Sequence, residues 1–192
     1  MSAVILAGGK STRMGYDKTK LMLDGKTLID TIILRLMPVF TELLVCGLKG
    51  GTNVTQNVKY VNDIYPGVGP VGGIYTGLYY SSEDMNFITA CDIPEINLKL
   101  IKYMEERMKH YDAAIIEVNG YTEPLFGLYS RRILPILKSN IEKGIYKISD
   151  AFKYMNVKFI SDAEILSIEP GFKGLYNINT PEDYIGYMKG KS

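Results

Sequence analysis

The sequence predicts a three-layer α/β/α sandwich with a mostly parallel central sheet. Short apolar runs bounded by glycine or charged residues alternate with longer segments of helical period, which is the pattern of such folds. The length of 192 residues suits a single domain over residues 1–192, and no repeat or linker divides the chain. A hydrophobic fraction of 46% with 22% charged residues indicates a packed core and excludes a disordered chain.

The first half of the chain begins with the apolar run Val4 to Ala7, which we interpret as the first strand. A helix is expected from about Thr27 to Leu36, because its apolar residues recur on one face and Pro38 lies beyond its end. The remaining elements of this half are strands at Leu43 to Cys46, Lys59 to Val61 and Asn86 to Cys91, and a helix at Val71 to Tyr80.

The second half begins with an amphipathic helix from Leu98 to Met108. Strands are expected at Ala113 to Val118 and at Leu125 to Tyr129, on either side of a polar turn. The later elements are helices at Arg131 to Ile141 and Asp150 to Met155, a strand pair near Val157 to Ile168, and a last helix capped by Thr180.

The charge balance argues against nucleic acid as a ligand. Lys and Arg total 22 and Asp and Glu total 21, so the surface lacks the positive field that collects phosphate backbones. The longest apolar stretch near the N-terminus, Ala3 to Ala7, has about a quarter of the length needed to cross a bilayer and no preceding basic region, so we expect neither a signal peptide nor a membrane anchor there. We therefore expect a cytoplasmic protein that contacts neither nucleic acid nor membrane.

The cysteines and the histidine give no sign of zinc or thiol chemistry. Cys46 and Cys91 each lie in an apolar run, where a reduced thiol behaves as a small hydrophobic group. The single histidine, His110, follows a helical segment, and we expect it at a solvated helix end. Because no CxxC or HxxxH spacing is present, a bound metal is expected to be a hard cation held by oxygen.

The segment after the first strand, LAGGKSTRMGYDK, has the composition of a polyphosphate-binding loop. Gly8 and Gly9 allow consecutive backbone N–H groups to turn toward an anion, and the cations Lys10, Arg13 and Lys18 neutralise phosphate oxygens. The spacing matches neither a Walker loop nor the GxGxxG fingerprint. A glycine-rich turn with solvated lysines is the alternative, but the coincidence of glycines and cations after a buried strand favours phosphate binding.

Two aspartates and a second glycine turn follow later strands. Asp92 ends a buried run, where its carboxylate can bind a metal ion together with phosphate oxygens; a helix cap or turn aspartate is the alternative. Asp63 precedes a loop in which Gly72 and Gly73 allow a base or ribose to lie against bare backbone, and a purely structural turn is its alternative. Since ligands of such sheets bind at the carboxyl ends of strands, these features converge on one cleft.

The segment LAGGKSTRMGYDKTKL, together with ACDIP, EPLFGLYS and NINTPEDY, resembles the molybdenum cofactor guanylyltransferases and their nucleotidyltransferase relatives. The resemblance implies the Rossmann-like fold of the nucleotide-diphospho-sugar transferases. It also implies Mg²⁺-dependent transfer of GMP from GTP to molybdopterin, with release of pyrophosphate. In this comparison the backbone of Leu6, Ala7 and Gly8 contacts the nucleotide, Lys18 binds phosphate and Arg13 contacts the departing pyrophosphate.

The same resemblance implies roles for residues farther along the chain. Asp92 matches the metal-binding CDxP motif, and Asp63 matches an aspartate that contacts the nucleotide. Asn177 and Asn179 match asparagines near the active site, where their amides could bind phosphate or metal-bound water; Asn179 could instead only lead into the following helix cap. Transient contact with other cofactor-biosynthesis or molybdoenzyme-maturation proteins is also expected.

This chain departs from the family pattern in three places. The family often has an asparagine after the second strand, where this chain has Cys46 and Gly47, so triphosphate binding is indicated more strongly than guanine selectivity. Glu95 replaces an aromatic or apolar residue, and Glu123 stands where histidine is frequent, so either change could alter the acceptor pocket. The alternatives are a cytidylyl or sugar-phosphate nucleotidyltransferase, or a noncatalytic nucleotide-binding module.

Overall fold

A seven-stranded sheet forms the centre of the molecule, with a separate two-stranded hairpin near the start of the chain. The structure is a computed structural model that describes residues 1–8, 18–48, 52–54, 56–172 and 175–190. The strands are β1 (Ser2–Leu6), β2 (Met22–Leu23), β3 (Lys26–Thr27), β4 (Glu42–Cys46), β5 (Val58–Val61), β6 (Met85–Ala90), β7 (Ala113–Val118), β8 (Tyr121–Ser130) and β9 (Val157–Ile160). The α-helices are α1 (Leu28–Leu36), α2 (Pro70–Tyr80), α3 (Leu98–Arg107), α4 (Leu134–Glu142), α5 (Asp162–Ile168) and α6 (Pro181–Gly190).

The large sheet has the strand order β5, β4, β1, β6, β8, β7, β9. Strands β5, β4, β1 and β6 are parallel, so their carboxyl ends lie along one edge. Strand β8 is antiparallel to both β6 and β7, whereas β9 is parallel to β7. The first residues of β8 therefore lie at the same edge as the carboxyl end of β6, which brings two distant parts of the sequence together.

Helices cover both faces of this sheet, which confirms the predicted three layers. Along β1, Ala3 and Ile5 face the core that contains residues of α1, α3, α5 and α6. Val4 and Leu6 face the opposite core, formed with α2 and α4. All four side chains are buried, and burial on both faces explains why this strand is a continuous apolar run.

Most predicted elements are confirmed, but the strand pair expected near Val157 to Ile168 is wrong. Strand β9 is present, and the residues after it form helix α5 instead of a second strand. The cause is local, because Ser161 and Glu164 form a capping box that begins a helix directly after the strand. The helices predicted near residues 131 and 150 are partly or wholly 3₁₀ helices, at Arg131–Ile133 and Ile148–Tyr154.

Three smaller expectations can be compared with the structure. Cys46 and Cys91 are both buried, as predicted from their apolar surroundings. His110 is exposed shortly after α3, at the position expected for a solvated helix end. Among the described residues, no helix combines the length and apolar character needed to cross a bilayer.

Glu164 connects helix α5 to its neighbours. Its carboxylate accepts hydrogen bonds from the backbone N–H of Ser161 at 3.0 Å and from the Ser161 hydroxyl at 2.9 Å. The ammonium group of Lys158 lies 3.0 Å away. Burial by itself raises the pKa of Glu164, but these partners outweigh it and lower the pKa from 4.5 to about 2.

We expect Glu164→Gln to destabilise the protein at neutral pH and much less in acid. Because the pKa of Glu164 is lower in the folded state, its carboxylate stabilises the fold above pH 4.5, and this contribution is lost as the pH falls toward 2. After allowance for partial exposure, the loss in free energy of unfolding at pH 7 is about 1–2 kcal/mol. Urea unfolding at pH 7 and pH 3 measures it, with exposed Glu105→Gln as the control. An equal loss at both pH values would contradict the assignment.

Candidate active site

The carboxyl ends of the four neighbouring strands β5, β4, β1 and β6 are joined by backbone hydrogen bonds that continue past the strands. The N–H of Ala7 donates to the carbonyl of Cys46 at 2.9 Å, and the N–H of Cys91 donates to the carbonyl of Leu6 at 3.0 Å. On the other side, the N–H of Gly47 donates to the carbonyl of Val61 at 3.0 Å. The first residues of the loops after β1, β4 and β6 are therefore held in fixed positions at one edge of the sheet.

Gly8, Gly47 and Asp63 meet at the centre of this edge. A Cβ atom placed on Gly47 would lie 2.9 Å from the Cα atom of Gly8 and 2.9 Å from Oδ2 of Asp63. Gly47 also has a φ of +72°, in the left-handed region that favours glycine. The close approach of the three residues therefore requires glycine at position 47, which gives a steric reason for the departure noted in the sequence.

Burial raises the pKa values of the two ionisable groups near Gly47, the Asp63 carboxyl and the Cys46 thiol. Burial raises the pKa of the Asp63 carboxyl above its ordinary value. Burial, and secondarily the charge of Asp63, raises the pKa of the Cys46 thiol to about 12. Cys46 therefore remains a neutral thiol at physiological pH and acts as a packing residue.

The second glycine turn is fixed against the first strand. A Cβ atom on Gly72 would lie 2.6 Å from the carbonyl oxygen of Tyr65, and one on Gly73 would lie 3.1 Å from Cδ2 of Leu6. Buried Thr76 adds a polar connection, since its hydroxyl donates to the carbonyl of Gly72 at 2.8 Å and accepts from the N–H of Ile64 at 2.9 Å. The start of α2 is thereby held beside the residue that follows Asp63.

Thr76 was missed in the sequence analysis. It lies within an otherwise apolar helix face, and it is fully buried. A hydroxyl at such a position predicts a local hydrogen bond to the helix backbone, but its second partner depends on the tertiary fold.

Asp92 lies between the first strand and the C-terminal segment. It follows β6, whose next residue, Cys91, is hydrogen-bonded to Leu6. The carbonyl of Asp92 in turn accepts a hydrogen bond from the N–H of Ile178 at 2.9 Å. Ile178 is fully buried, and its neighbours Asn177 and Asn179 are partly exposed. The two predicted asparagines thus flank the residue that contacts Asp92.

Glu123 lies on β8, on the opposite side of β6 from β1. Burial is the largest influence on the Glu123 carboxyl and raises its pKa; the Asp92 charge also raises it. The backbone N–H of Leu125, at 3.2 Å, and the side chain of Asn177 donate hydrogen bonds to this carboxyl and lower its pKa. The Glu123 departure therefore falls within the candidate site, whereas Glu95 is exposed and follows a buried stretch.

Asp30 is a buried carboxylate that the sequence analysis did not identify. Burial by itself raises the pKa of Asp30, but hydrogen bonds from Thr52, Thr27 and Asn53 outweigh it and lower the pKa. The Asn53 side-chain amide donates to Oδ2 of Asp30 at 3.0 Å. Since α1 begins and β4 ends at the carboxyl edge of the sheet, Asp30 fixes part of the loop after β4 near the site.

The structure thus brings the predicted site residues into two groups along one edge. The nucleotide group contains Leu6, Ala7, Gly8, Asp63, Gly72 and Gly73, and the second group contains Asp92, Asn177 and Asn179. Three predicted phosphate-binding residues, Gly9, Lys10 and Arg13, lie outside the described residues. Lys18 is described only by its backbone, at the start of the 3₁₀ helix Lys18–Lys20.

Gly8 after the first strand and Asp92 after the fourth parallel strand lie at the carboxyl edge of the sheet, where open α/β sheets bind nucleotides and other ligands. A model of the MobA-like NTP transferase domain matches residues 3–155, and the chain belongs to this family.

Relatives agree with this assignment, and solved structures share the fold. A probable molybdenum cofactor guanylyltransferase from Carboxydothermus hydrogenoformans is 32% identical over 98% of this chain and 95% of its own length. Another probable molybdenum cofactor guanylyltransferase, from Natranaerobius thermophilus, is 35% identical over 95% of this chain and 92% of its own length. Among solved structures, molybdopterin-guanine dinucleotide biosynthesis protein A from Archaeoglobus fulgidus covers 100% of both chains, with a TM-score of 0.83 and 24% identity. The 2-C-methyl-D-erythritol 4-phosphate cytidylyltransferase from Thermus thermophilus shares the fold, with a TM-score of 0.71 and 15% identity. The match covers 100% of this chain and 98% of the cytidylyltransferase.

Proposed function

We propose that this protein transfers GMP from GTP to molybdopterin in a Mg²⁺-dependent reaction in the cytoplasm, releasing pyrophosphate and forming the guanine dinucleotide. The relatives named as guanylyltransferases support the choice of substrates. The observation that best supports the chemistry is the position of Asp92. Asp92 lies between the nucleotide group and the C-terminal segment. Its neighbour Cys91 is hydrogen-bonded to Leu6 of the nucleotide group, and its own carbonyl is hydrogen-bonded to Ile178 of the C-terminal segment.

The residues around Asp92 fit a magnesium ion. Mg²⁺ prefers oxygen ligands and commonly takes one or two carboxylates from the protein and the rest from phosphates and water. In the described part of the chain, no group of three or more His, Cys, Asp and Glu side chains could hold a metal ion, so phosphates and water would have to supply most of the ligands. Asn177 Oδ1, which is buried and has no hydrogen-bond partner among the described residues, would offer a further oxygen. We propose Asp92 as the protein ligand.

The reaction is an in-line displacement at the α-phosphorus. An oxygen of the acceptor phosphate forms a bond to the α-phosphorus, and the bond to the bridging oxygen of pyrophosphate breaks. A bound magnesium ion would supply charge neutralisation at the phosphates. An acceptor phosphate is already ionised near pH 7, so the site requires no strong general base.

The protein's own residues then position the substrates and stabilise charge. The backbone around Gly8 and Gly73 would hold the nucleotide against the sheet edge, and Asp63 would orient the nucleoside. Arg13 and Lys18 would neutralise the departing pyrophosphate. The acceptor would approach from the side of β8 and the C-terminal segment, because the nucleotide group occupies the opposite side of Asp92.

Radiolabelled transfer with each of the four nucleoside triphosphates, with and without molybdopterin, tests this proposal. We expect pyrophosphate release only with GTP, molybdopterin and Mg²⁺ together, and label from α-³²P GTP in the dinucleotide product. Transfer from CTP would instead indicate a cytidylyltransferase, and use of a sugar phosphate would indicate a sugar nucleotidyltransferase. Binding of GTP without pyrophosphate release under any condition would favour a noncatalytic module.

A further inference from the structure

A tyrosine hydroxyl joins two parts of the chain that are predicted to bind different substrates. The hydroxyl of Tyr184, near the start of α6, donates a hydrogen bond to the carbonyl oxygen of Met22 in β2 at 2.6 Å. The two residues are 162 positions apart in the sequence. Met22 follows the segment predicted to bind phosphate, and Tyr184 follows the segment that carries the predicted asparagines. The contact therefore connects these two segments.

On the Met22 side, a short folded segment leads back to the predicted phosphate-binding lysine. Lys18 begins the 3₁₀ helix Lys18–Lys20, and β2 begins shortly after this helix. The carbonyl of Leu21 accepts a hydrogen bond from the N–H of Leu28 at 2.6 Å, which ties the segment to the start of α1. The side chain of Leu21 is buried in the core. Because so few residues separate Lys18 from Met22, the position of Met22 constrains the backbone of Lys18.

On the Tyr184 side, the start of α6 fixes the backbone of a predicted asparagine. Oδ2 of Asp183 accepts hydrogen bonds from the N–H of Asn179 at 2.9 Å and from the N–H of Thr180 at 2.8 Å. The Thr180 hydroxyl accepts in return from the N–H of Asp183 at 3.1 Å, which is the reciprocal pattern of a capping box. The N–H of Tyr184 donates to the carbonyl of Thr180 at 3.2 Å. Asn179 and Tyr184 are thus held in one unit.

We infer that Tyr184 is a positioning residue, which couples the binding of the triphosphate to the binding of the acceptor substrate. This inference rests on the proposed function. Because the hydroxyl joins the Lys18 segment to the Asn179 segment, a ligand that fixes the position of one segment also fixes part of the other. The second ligand then costs less conformational freedom when it binds, so each ligand strengthens the binding of the other.

Tyr184→Phe removes the contact with Met22 and keeps the ring. The ring of Tyr184 packs against the hydrophobic core that contains Leu21 and Ile178, and phenylalanine preserves this packing. Only the hydroxyl is lost. We expect the coupling between the two substrates to fall by about 3- to 10-fold, because the net free energy of one hydrogen bond corresponds to a factor of this size.

Calorimetry with the α,β-methylene analogue of GTP measures the coupling without turnover, because a carbon atom replaces the oxygen at which the triphosphate is cleaved. With Mg²⁺ present, we expect the saturating analogue to lower the Kd for molybdopterin by about fivefold or more in the original protein, and by less than about twofold in Tyr184→Phe. In the reverse titration, molybdopterin must lower the Kd for the analogue by the same factor. Equal coupling in both proteins would overturn the inference, as would the absence of coupling in the original protein.

Tyr176→Phe is the matched control. The hydroxyl of Tyr176 donates to the carbonyl of Asp183 at 2.6 Å, so a bond of the same kind and length is lost, but it lies within the C-terminal segment. The coupling factor compares two affinities of the same variant, so it does not depend on a general change in molybdopterin affinity. We expect this factor to stay within about twofold in Tyr176→Phe. If it fell as far as in Tyr184→Phe, the contact with Met22 would not be the cause.

Amide hydrogen exchange in the ligand-free protein keeps this inference separate from the proposed function. The N–H of Leu28 reports on the hairpin side and the N–H of Asn179 on the helix side, since each donates a hydrogen bond there. We expect both to exchange about 3- to 10-fold faster in Tyr184→Phe, and only the Asn179 N–H to do so in Tyr176→Phe. An unchanged Leu28 rate in Tyr184→Phe would disprove the link even in an active enzyme. If the protein releases no pyrophosphate, the proposed function fails, and the exchange rates still decide whether Tyr184 joins the two segments.

Discussion

Asp92→Asn should lower the rate of pyrophosphate release by about 100- to 1,000-fold at saturating GTP, molybdopterin and Mg²⁺. Asparagine keeps the shape of the side chain but removes the negative charge that would hold the metal ion at the reacting phosphates. The contact of this residue with Ile178 is kept in the variant, because it uses the backbone carbonyl. Urea unfolding of both proteins checks that the loss of rate does not come from a loss of stability.

The same strand offers a matched control for this substitution. Asp84 is exposed and precedes β6 at its amino end, opposite to Asp92. Asp84→Asn removes an equal charge from the same strand and should leave the rate within about twofold. Near-normal Mg²⁺-dependent turnover by Asp92→Asn would exclude Asp92 as the metal ligand.

The sequence predicted the long and fully buried elements well because each has an unambiguous pattern. Strand β1 is apolar on both faces, and helix α1 buries one face and begins after the Thr27 cap, which accepts from the N–H of Asp30 at 3.2 Å. The two-residue strands β2 and β3 were missed, because they are too short to show any periodicity. Their hairpin depends on distant contacts, including the Tyr184 hydroxyl bound to the carbonyl of Met22 at 2.6 Å.

The error after β9 shows a local signal that was overlooked. The apolar residues between positions 157 and 168 are compatible with strand or helix, and the prediction extended the strand. Ser161 and Glu164 stand three residues apart, which is the spacing of a capping box and marks a helix start. The capping-box spacing of Ser161 and Glu164 was therefore more informative about secondary structure than the hydrophobicity of the whole segment.

The sequence predicted individual residues of the candidate site, but it did not predict which of them contact each other. Asp92 and Asn177 were chosen from separate motifs, and no local pattern predicted the hydrogen bond between Ile178 and Asp92. The Glu123 interaction with Asn177 joins residues from β8 and from the segment before α6. Such pairings follow from the order of strands in the sheet, which local periodicity does not determine.

Gly47→Ala should cause the largest loss of GTP binding among substitutions outside the charged residues. Alanine must adopt a φ of +72°, and its Cβ atom would lie 2.9 Å from both Gly8 Cα and Asp63 Oδ2. Backbone strain and overpacking together should lower the free energy of unfolding by about 2–4 kcal/mol. Displacement of Gly8 and Asp63 should weaken GTP binding by at least about tenfold in calorimetry.

A second glycine separates backbone strain from the close contact. Gly144 follows α4 with a φ of +75°, and a Cβ atom placed there meets no atom within 4 Å. Gly144→Ala should therefore lose only about 1 kcal/mol of stability and leave GTP binding unchanged. Equal effects of the two substitutions would show that conformation alone matters at Gly47.

Gly47→Asn tests the close contact of Gly47 with Gly8 and Asp63, using the residue that the family often has at the end of the strand equivalent to β4. Asparagine adopts positive φ more readily than alanine, so it should recover part of the stability that Gly47→Ala loses. Its Cβ atom occupies the same position, however, and the overlap with Gly8 and Asp63 remains. We therefore expect GTP binding to stay weak in Gly47→Asn. Full GTP affinity in this variant would show that Gly8 and the Asp63 side chain can move apart without loss of binding, and that close packing does not require glycine at this position.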